Sequence, residues 1–355
     1  MSSMWGNKVK ISLFGESHGK GIGVVIDGLP AGMPLDLEQI QEHMKRRAPG
    51  QQPWSTKRDE KDIAEILSGF YKGKTTGTPL CAEIRNHDTR SQDYEELARK
   101  PRPGHADLTA LARYNGANDP RGGGHFSARI MAPLTFAGAV CLQILQQRGI
   151  EVRGHIYEIA GISDTPYDMM TLPESVAGKD FPVLSDEQGG KMQAAIEAAR
   201  MDLDSVGGIV ECLAAGFPAG LGRPIFDNIE SRLASILFGV PAVKGVEFGR
   251  GFEVARAKAS ENNDHPQISE KGIRLTTNHG GGMEGGISNG MPIVVRCAFK
   301  PTSSISREQD TINLETMKND KLTLKGRHDP CVVPRAVPIV ESAMAIALLD
   351  LMEED

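Results

Sequence analysis

Three short segments place histidine, arginine or aspartate beside glycine or proline. They are Gly15-Glu16-Ser17-His18-Gly19, Arg102-Pro103-Gly104-His105-Ala106-Asp107 and Arg327-His328-Asp329-Pro330. Histidine has an ordinary pKa suited to proton transfer near neutrality, and loops held by a rigid scaffold are where catalytic groups concentrate. The three segments span nearly the whole chain, so the fold must gather them. The pattern predicts an enzyme that transfers protons, with His18 and His105 favoured over a merely structural role.

Two further segments are typical of anion-binding sites. Arg121 to Arg129 places three glycines and Ser127 before an apolar stretch, and Lys300-Pro301-Thr302-Ser303-Ser304 offers one cation and three hydroxyls. Backbone donors in a glycine-rich turn bind anions readily, although a plain turn explains each segment almost as well. Several arginines lie in or near segments rich in Gly, Pro or His, namely Arg46, Arg47, Arg58, Arg102, Arg121, Arg129 and Arg327. Basic residues focused in this way suit a small polyanionic substrate.

Three motif matches are rejected. The GxSxG pattern around Ser17 needs a strand before it and a helix after it, but an apolar, strand-like run follows. Residues 280–285 fit GxGxxG but lead into another strand, and Gly73-Lys74-Thr75 lacks the first glycine of a phosphate-binding loop. His43 and His265 stand in polar surroundings and are interpreted as structural. None of these matches indicates a hydrolase or a nucleotide-binding site.

Composition excludes several classes of protein. The net charge of -6 and the 5% aromatic content argue against nucleic acid or anionic membranes as partners. The five cysteines are never in CxxC spacing, so we expect neither disulfides nor a metal site. Free cysteines are typical of the reducing cytoplasm, so we expect a cytoplasmic location. The chain starts without a long apolar segment, and no run approaches the roughly 18 apolar residues that a membrane span needs. We therefore expect a soluble enzyme of small molecules.

The elements that must position these residues alternate between strand and helix. Residues 8–14 and 22–27 predict strands, and Asp36 predicts the N-cap of a helix that ends before Pro49-Gly50. Residues 208–237 repeat this strand–turn–helix order, which indicates internal pseudo-symmetry. Further helices are predicted at 129–148, 185–201 and 336–352, and further strands at 80–84, 150–160, 273–277 and 291–299. The pattern predicts one intertwined α+β domain over residues 1–355.

Six motifs taken together are similar to those of the chorismate synthase family. They are GESHG at 15–19, RPGHAD at 102–107, GGGHFSAR at 122–129, GVEFG at 245–249, GGISNG at 285–290 and RHDP at 327–330. No single string is specific, but six in the family's order are. The resemblance implies an α+β sandwich of central helices between antiparallel sheets, a homotetramer, and FMN in its reduced form.

The resemblance also implies the reaction, anti-1,4-elimination of phosphate and a ring C6 hydrogen from 5-enolpyruvylshikimate 3-phosphate without net redox change. It implies three proton-handling residues: His18 near flavin N1, His105 as general acid toward phosphate, and Asp329 helping flavin N5 accept the substrate proton. The residues implied to bind the substrate or NADPH are Ser17, Arg47, Arg102 and Arg129. Those implied to bind the flavin are His125, Phe126, Ser127, Ala242, Gly285, Lys300, Pro301, Thr302, Ser303, Ser304 and Arg327, with Arg327 near both ligands.

The sequence departs from common relatives at Pro53, Phe126, Pro241 and His328, which leaves the flavin contacts there open. The reductant is also open between NADPH and an external flavin reductase. One alternative function is a flavoprotein that uses the same scaffold for another anionic substrate. The other is an RNA-binding protein that uses Arg102, Arg121 and Arg129, which the negative charge and the few aromatic residues disfavour.

Overall fold

The computed structural model describes residues 3–50, 60–87, 95–270, 272–324 and 328–354. Within these ranges the strands are β1 (Met4–Trp5), β2 (Lys10–Gly15), β3 (Gly21–Asp27), β4 (Ala64–Ser68), β5 (Phe70–Tyr71), β6 (Lys74–Thr75), β7 (Leu80–Arg85), β8 (Glu151–Ile159), β9 (Ile162–Ser163), β10 (Gly208–Ala215), β11 (Val243–Phe248), β12 (Pro266–Ser269), β13 (Gly272–Leu275), β14 (Met283–Glu284), β15 (Ile287–Ser288), β16 (Ile293–Phe299), β17 (Gln309–Asn313) and β18 (Lys318–Leu322). The helices are α1 (Leu37–Arg47), α2 (Glu95–Arg99), α3 (Asp107–Tyr114), α4 (Met131–Gln147), α5 (Asp186–Met201), α6 (Ile229–Phe238), α7 (Ala259–Asn262) and α8 (Val333–Glu354).

Two antiparallel sheets of five strands form the outer layers. The first sheet has the order β1-β2-β3-β7-β4, and the second has the order β11-β16-β10-β8-β9. Strands β2 and β3 form a hairpin, and β7 pairs with β3 so that Arg85 lies opposite Gly21. This register brings the residues that follow β7 beside the loop of the hairpin, which carries the segment 16–20.

The helices α4 and α8 fill the space between the sheets. Helix α4 packs on β3 and β7 of the first sheet, and α8 packs on β8 and β10 of the second. The two helices approach closely at Gly138, because a Cβ at that position would lie 2.0 Å from the Cβ of Ser342. Apolar residues of both helices and both sheets share one buried core. The prediction of central helices between antiparallel sheets is therefore confirmed.

Capping and turn residues place several predicted elements correctly. Asp36 is the N-cap of α1, where its Oδ1 accepts hydrogen bonds from the amides of Glu38 and Gln39, and Ser185 caps α5. The order β3–turn–α1 recurs as β10–turn–α6, as the predicted pseudo-symmetry requires. The predicted elements differ from the observed ones at their ends, and several observed elements were not predicted, among them α3, β4, β11, β17 and β18. A 3₁₀ turn over Ala128–Ile130 precedes α4, and the strand predicted at 273–277 covers Gly272–Leu275 instead.

Among the described residues, one helical stretch, Ala128–Gln147, is long and apolar enough to cross a bilayer by length and composition, contrary to the expectation that no run approaches that length. Within the protein, however, 83% of its most apolar window is buried. Burial between two sheets explains the apolar composition without a membrane.

Candidate active site

A cavity of about 960 Å³ opens between the two sheets, where loops from distant parts of the chain meet. Ligand pockets span about 300–1,000 Å³, so it has room for a cofactor and a small substrate together. The structure brings together almost all of the predicted site residues along its wall, namely Ser17, His18, Arg47, Arg102, His105, His125, Phe126, Ser127, Arg129, Ala242, Lys300, Pro301, Thr302, Ser303, Ser304 and Asp329. The fold thus gathers all three histidine- and aspartate-bearing segments.

One predicted residue, Gly285, does not line this wall. Gly285 lies in the turn between β14 and β15, where it faces open space and does not line the cavity. Arg327 lies outside the described residues, as does Pro53. Within the described ranges, no group of three or more His, Cys, Asp or Glu residues could hold a metal ion.

The glycine loop at 122–124 packs between the two predicted proton-transfer histidines. A Cβ on Gly122 would lie 2.0 Å from Nδ1 of His18, and a Cβ on Gly123 would lie 3.0 Å from Cε1 of His105. Both glycines have positive φ, at 60° and 84°, a conformation that glycine adopts without strain. The loop therefore determines how closely the two rings approach, a role that the sequence did not reveal.

The ring of His105 is oriented by Asp107. Nδ1 of His105 lies 2.6 Å from Oδ1 of Asp107, and the same carboxylate accepts two hydrogen bonds from the guanidinium of Arg102. Arg102 also donates to Ser304 Oγ at 3.3 Å. Burial by itself raises the pKa of Asp107, but the hydrogen bonds from Arg102 and His105 outweigh it and hold that pKa well below its ordinary value. Asp107 stays ionised, and Nε2 of His105 is left to act on a ligand.

The loop that carries Ser17 and His18 joins two strands, so no helix follows it and the rejection of a serine-hydrolase elbow is confirmed. The amide of Ser17 donates to Gly124 O at 3.1 Å. His125, predicted to bind the cofactor, uses both ring nitrogens within the protein: Nδ1 lies 2.8 Å from Gly15 O, and Nε2 lies 2.8 Å from Ser3 Oγ. The face of this ring remains for a ligand, and its contact with a cofactor stays a prediction.

Arg47 and Arg129 line the cavity and are almost fully buried. Both pair with Asp62, Arg47 at 3.3 Å, and Arg129 also lies 3.6 Å from Glu60. Burial raises the pKa of Asp62, but the two arginines outweigh it and lower that pKa below its ordinary value. Two arginines therefore face two carboxylates, and an anionic ligand would have to displace or share these partners.

The segment 300–304 offers polar groups against an apolar wall. The Lys300 ammonium donates to Gly104 O, and its pKa is lowered by burial and by the nearby charge of Lys244. Thr302 Oγ1 is buried and has no hydrogen-bond partner among the described residues. The apolar part of the wall comprises Leu13, Ile130, Met131, Val240, Phe299, Val332, Ala336 and Ile339. An orphaned hydroxyl and two lysines beside apolar side chains fit a flat aromatic cofactor with an anionic tail.

Asp329 lines the cavity next to His328. Its carboxylate accepts hydrogen bonds from Arg335 at 3.0 and 3.2 Å, an ion pair that the sequence did not reveal. Burial lowers the pKa of His328, and the charge of Arg102 lowers it further, so this ring is neutral near neutrality. The guanidinium of Arg335 thus holds the Asp329 carboxylate in place at the cavity wall.

The structural interpretation of His43 agrees with its surroundings. Its Nε2 lies 3.0 Å from Ser342 Oγ, between α1 and α8, and burial together with the charge of Arg46 lowers its pKa to about 4.

A second buried polar cluster lies away from the cavity, where Nε2 of His155 contacts Glu211 at 2.9 Å and Nδ1 contacts Asp164 at 3.3 Å. Neither His155 nor His43 reaches the candidate site.

Comparisons with known proteins agree with this geometry. Residues 9–352 match the family model described as chorismate synthase. The chain is 46% identical to the chorismate synthase of Korarchaeum cryptofilum, covering 98% of this chain and 96% of the relative. It is 44% identical to that of Lancefieldella parvula, with 99% and 96% covered. A solved structure titled "Crystal Structure of Chorismate Synthase" superposes with a TM-score of 0.77 at 31% identity, covering 99% of this chain and 93% of that one.

Proposed function

Since the chain belongs to the chorismate synthase family, which comprises lyases of aromatic biosynthesis, we propose that it converts 5-enolpyruvylshikimate 3-phosphate to chorismate. The reaction is the anti-1,4-elimination of phosphate and the C6 hydrogen, without net redox change. One observation carries this proposal: a single cavity unites two histidines across a glycine loop, buried arginines, and Asp329. Such a site can bind a polyanion and control protons at more than one point.

The substrate carries a phosphate and two carboxylates, and the cavity offers arginines to match. Arg102, Arg47 and Arg129 bind these anions in the proposal, with charge-assisted hydrogen bonds worth about 1.5–3 kcal/mol each. Because Asp62 and Glu60 already neutralise Arg47 and Arg129, binding must rearrange that cluster. Ser17 contributes a hydroxyl on the same wall.

Proton control falls to three residues. His105 protonates the departing phosphate from Nε2, because Asp107 occupies Nδ1 and keeps the ring oriented. His18, on the other side of the glycine loop from His105, carries a proton that balances the negative charge of the reduced flavin near N1. Asp329, held by Arg335, takes part in removing the proton that leaves C6.

Reduced FMN, when bound, would supply electron density for the elimination without net redox change. The residues that would hold it are His125, Phe126, Ser127, Ala242, Lys300, Pro301, Thr302, Ser303 and Ser304, with Arg327 and Gly285 added by the family resemblance alone. The buried, unpartnered Thr302 Oγ1 and the apolar wall support this assignment. The reductant, NADPH or an external flavin reductase, is open in this proposal.

We further propose a cytoplasmic homotetramer built from single-domain protomers. The hairpin of β12 and β13 supports self-association, because Ile268 and Ile273 pair across it and are 84% and 75% exposed. Contiguous exposed apolar surface marks protein–protein contact sites, and this pair would contribute to such a surface. Light scattering on the purified protein tests it, and a monomer at assay concentration would contradict it.

The function is tested by an anaerobic assay with 5-enolpyruvylshikimate 3-phosphate and chemically reduced FMN, following chorismate absorbance and phosphate release. Oxidised FMN is the control, and we expect product only with the reduced form. A folded, flavin-binding preparation without turnover would favour the alternative, a flavoprotein with another anionic substrate.

His105→Ala tests the role of the general acid. We expect a rate lower by about 10²–10⁴-fold with flavin binding retained, since general acids contribute in that range. His265→Ala is the matched control, because His265 is exposed and does not line the cavity. Near-normal turnover of His105→Ala would remove His105 from the mechanism.

A further inference from the structure

Asn86 directly follows β7 and connects two parts of the site. Its Nδ2 donates to Glu16 O at 3.1 Å and to Gly19 O at 2.9 Å, the carbonyls on either side of Ser17 and His18. Its Oδ1 accepts from Nε of Arg129 at 3.0 Å. Two carbonyl acceptors and one guanidinium donor are compatible with only one orientation of the amide, so the arrangement is unambiguous.

The pairing of β3 with β7 explains this position. Because Gly21 lies opposite Arg85, Asn86 is placed beside Lys20, and its own amide donates to Lys20 O at 3.2 Å. The backbone is fixed by the sheet, so the side chain spans a constant distance between the hairpin loop and Arg129. A change at the guanidinium is therefore transmitted to the loop through one rigid amide.

Arg129 is a group whose contacts must change when an anion binds. Its terminal nitrogens pair with Asp62 and Glu60, while Nε is held by Asn86. An anion that draws the terminal nitrogens away from these carboxylates displaces the guanidinium as a whole, and Nε moves with it. The hydrogen bond to Oδ1 of Asn86 then shifts, and with it the two bonds to the carbonyls beside His18.

We propose that Asn86 is a positioning residue that couples anion binding at Arg129 to the placement of His18. This inference rests on the proposed function, because His18 and Arg129 act together only in that reaction. Asn86 itself contacts neither substrate nor reacting atoms; it acts through the loop. If Asn86 only stabilised the loop, its removal would lower the rate equally with and without the His18 side chain.

Asn278 provides a matched control. It also donates two hydrogen bonds to carbonyls, Met169 O at 2.7 Å and Pro292 O at 2.8 Å, and accepts one, from the Gly282 amide at 2.7 Å. It does not line the cavity. Asn278→Ala therefore removes the same number of hydrogen bonds, two donated to carbonyls and one accepted, but the donor to its Oδ1 is a backbone amide rather than a guanidinium, and the residue lies away from the site.

The test is a double-mutant cycle in the full-length protein, using single-turnover chorismate formation with reduced FMN. Asn86→Ala should lower the rate by about 3- to 30-fold, the range for residues that carry coupling between sites. In a His18→Ala background it should lower the rate by less than about twofold, the limit for independent sites. The limb of the pH–rate profile that requires His18 should also move in Asn86→Ala and not in Asn278→Ala.

Equal losses from Asn86→Ala with and without His18, or no loss at all, would overturn the coupling while leaving the proposed function intact. A wild-type protein without turnover would overturn both. If Asn86→Ala does not fold as well as Asn278→Ala, Asn86→Ser, which keeps a hydroxyl at the position, is measured in the same cycle and judged by the same outcomes.

Discussion

Gly122 is the position where a single methyl group tests the geometry of the site most directly. In Gly122→Ala the new Cβ would lie 2.0 Å from Nδ1 and 2.2 Å from Cε1 of His18, and 3.0 Å from Oγ of Ser17. Ordinary van der Waals contact begins at 3.4 Å, so the ring of His18 must move by 3.4 minus 2.0, or 1.4 Å. The backbone also pays for an alanine at a φ of 60°, about 1 kcal/mol.

These two effects separate in the measurements. A displacement of about 1 Å at a reacting group costs about 10²-fold in rate, so we expect the kcat/KM of Gly122→Ala to fall about 100-fold. A side-chain ring can move aside, so the free energy of unfolding should fall only by the backbone cost of about 1 kcal/mol. Steady-state chorismate formation with reduced FMN and urea unfolding provide the two readouts.

Gly149→Ala is the control for the backbone cost alone. Gly149 has a φ of 79°, and nothing lies within 4 Å of the Cβ that alanine would add. It should lose similar stability and keep kcat/KM within about twofold, as expected for a change independent of the site. If Gly122→Ala retained turnover within threefold of Gly149→Ala, the reasoning that the glycine loop determines the position of His18 would be wrong.

Two other predictions concern carboxylates that hold histidines. Asp107→Asn should lower kcat about 10- to 100-fold, the range for carboxylates that orient metal-binding histidines, because Asp107 orients His105; unchanged single-turnover rates would contradict this. His155 lies buried between Asp164 and Glu211; burial by itself lowers its pKa, but these two carboxylates outweigh it and raise that pKa. The stability that protonated His155 adds to the fold should therefore be complete below about pH 6.5, the ordinary pKa of histidine, and should be lost as the pH rises through the raised pKa of the folded state. The difference in unfolding free energy between wild type and His155→Gln should accordingly shrink from pH 6 to pH 9. A difference that grows over this range would refute the assignment.

The structure also explains how an acidic protein accommodates buried arginines at its candidate site. Arg47 and Arg129 are buried, and a buried cation needs a partner, which Asp62 and Glu60 supply. The partners keep the cluster close to neutral. Under the proposed function, a polyanion would bind here by exchange of partners rather than by uncompensated positive charge, which agrees with the net charge of -6.

The sequence by itself determined two kinds of feature: elements set by contacts within a few residues, and the family, which follows from several short motifs taken together. The strand and helix periods and the caps at Asp36 and Ser185 depend on hydrogen bonds and packing within a few residues, so they could be predicted. The order of six short motifs identified the family and with it most of the residues on the cavity wall. Gly285 does not line the cavity and Arg327 lies outside the described residues, so their contacts with a cofactor stay predictions.

Only the tertiary structure decided which groups meet. The contacts of Gly122 with His18, of Asn86 with Arg129, and of Asp62 with Arg47 join residues 15 to 104 positions apart, and each depends on the register of the first sheet and on the loops that enclose the cavity. Nothing in the residues around Asn86 distinguishes it from an ordinary strand-end asparagine. Pairing across a sheet converts sequence distance into contact, and a local pattern carries no record of that pairing.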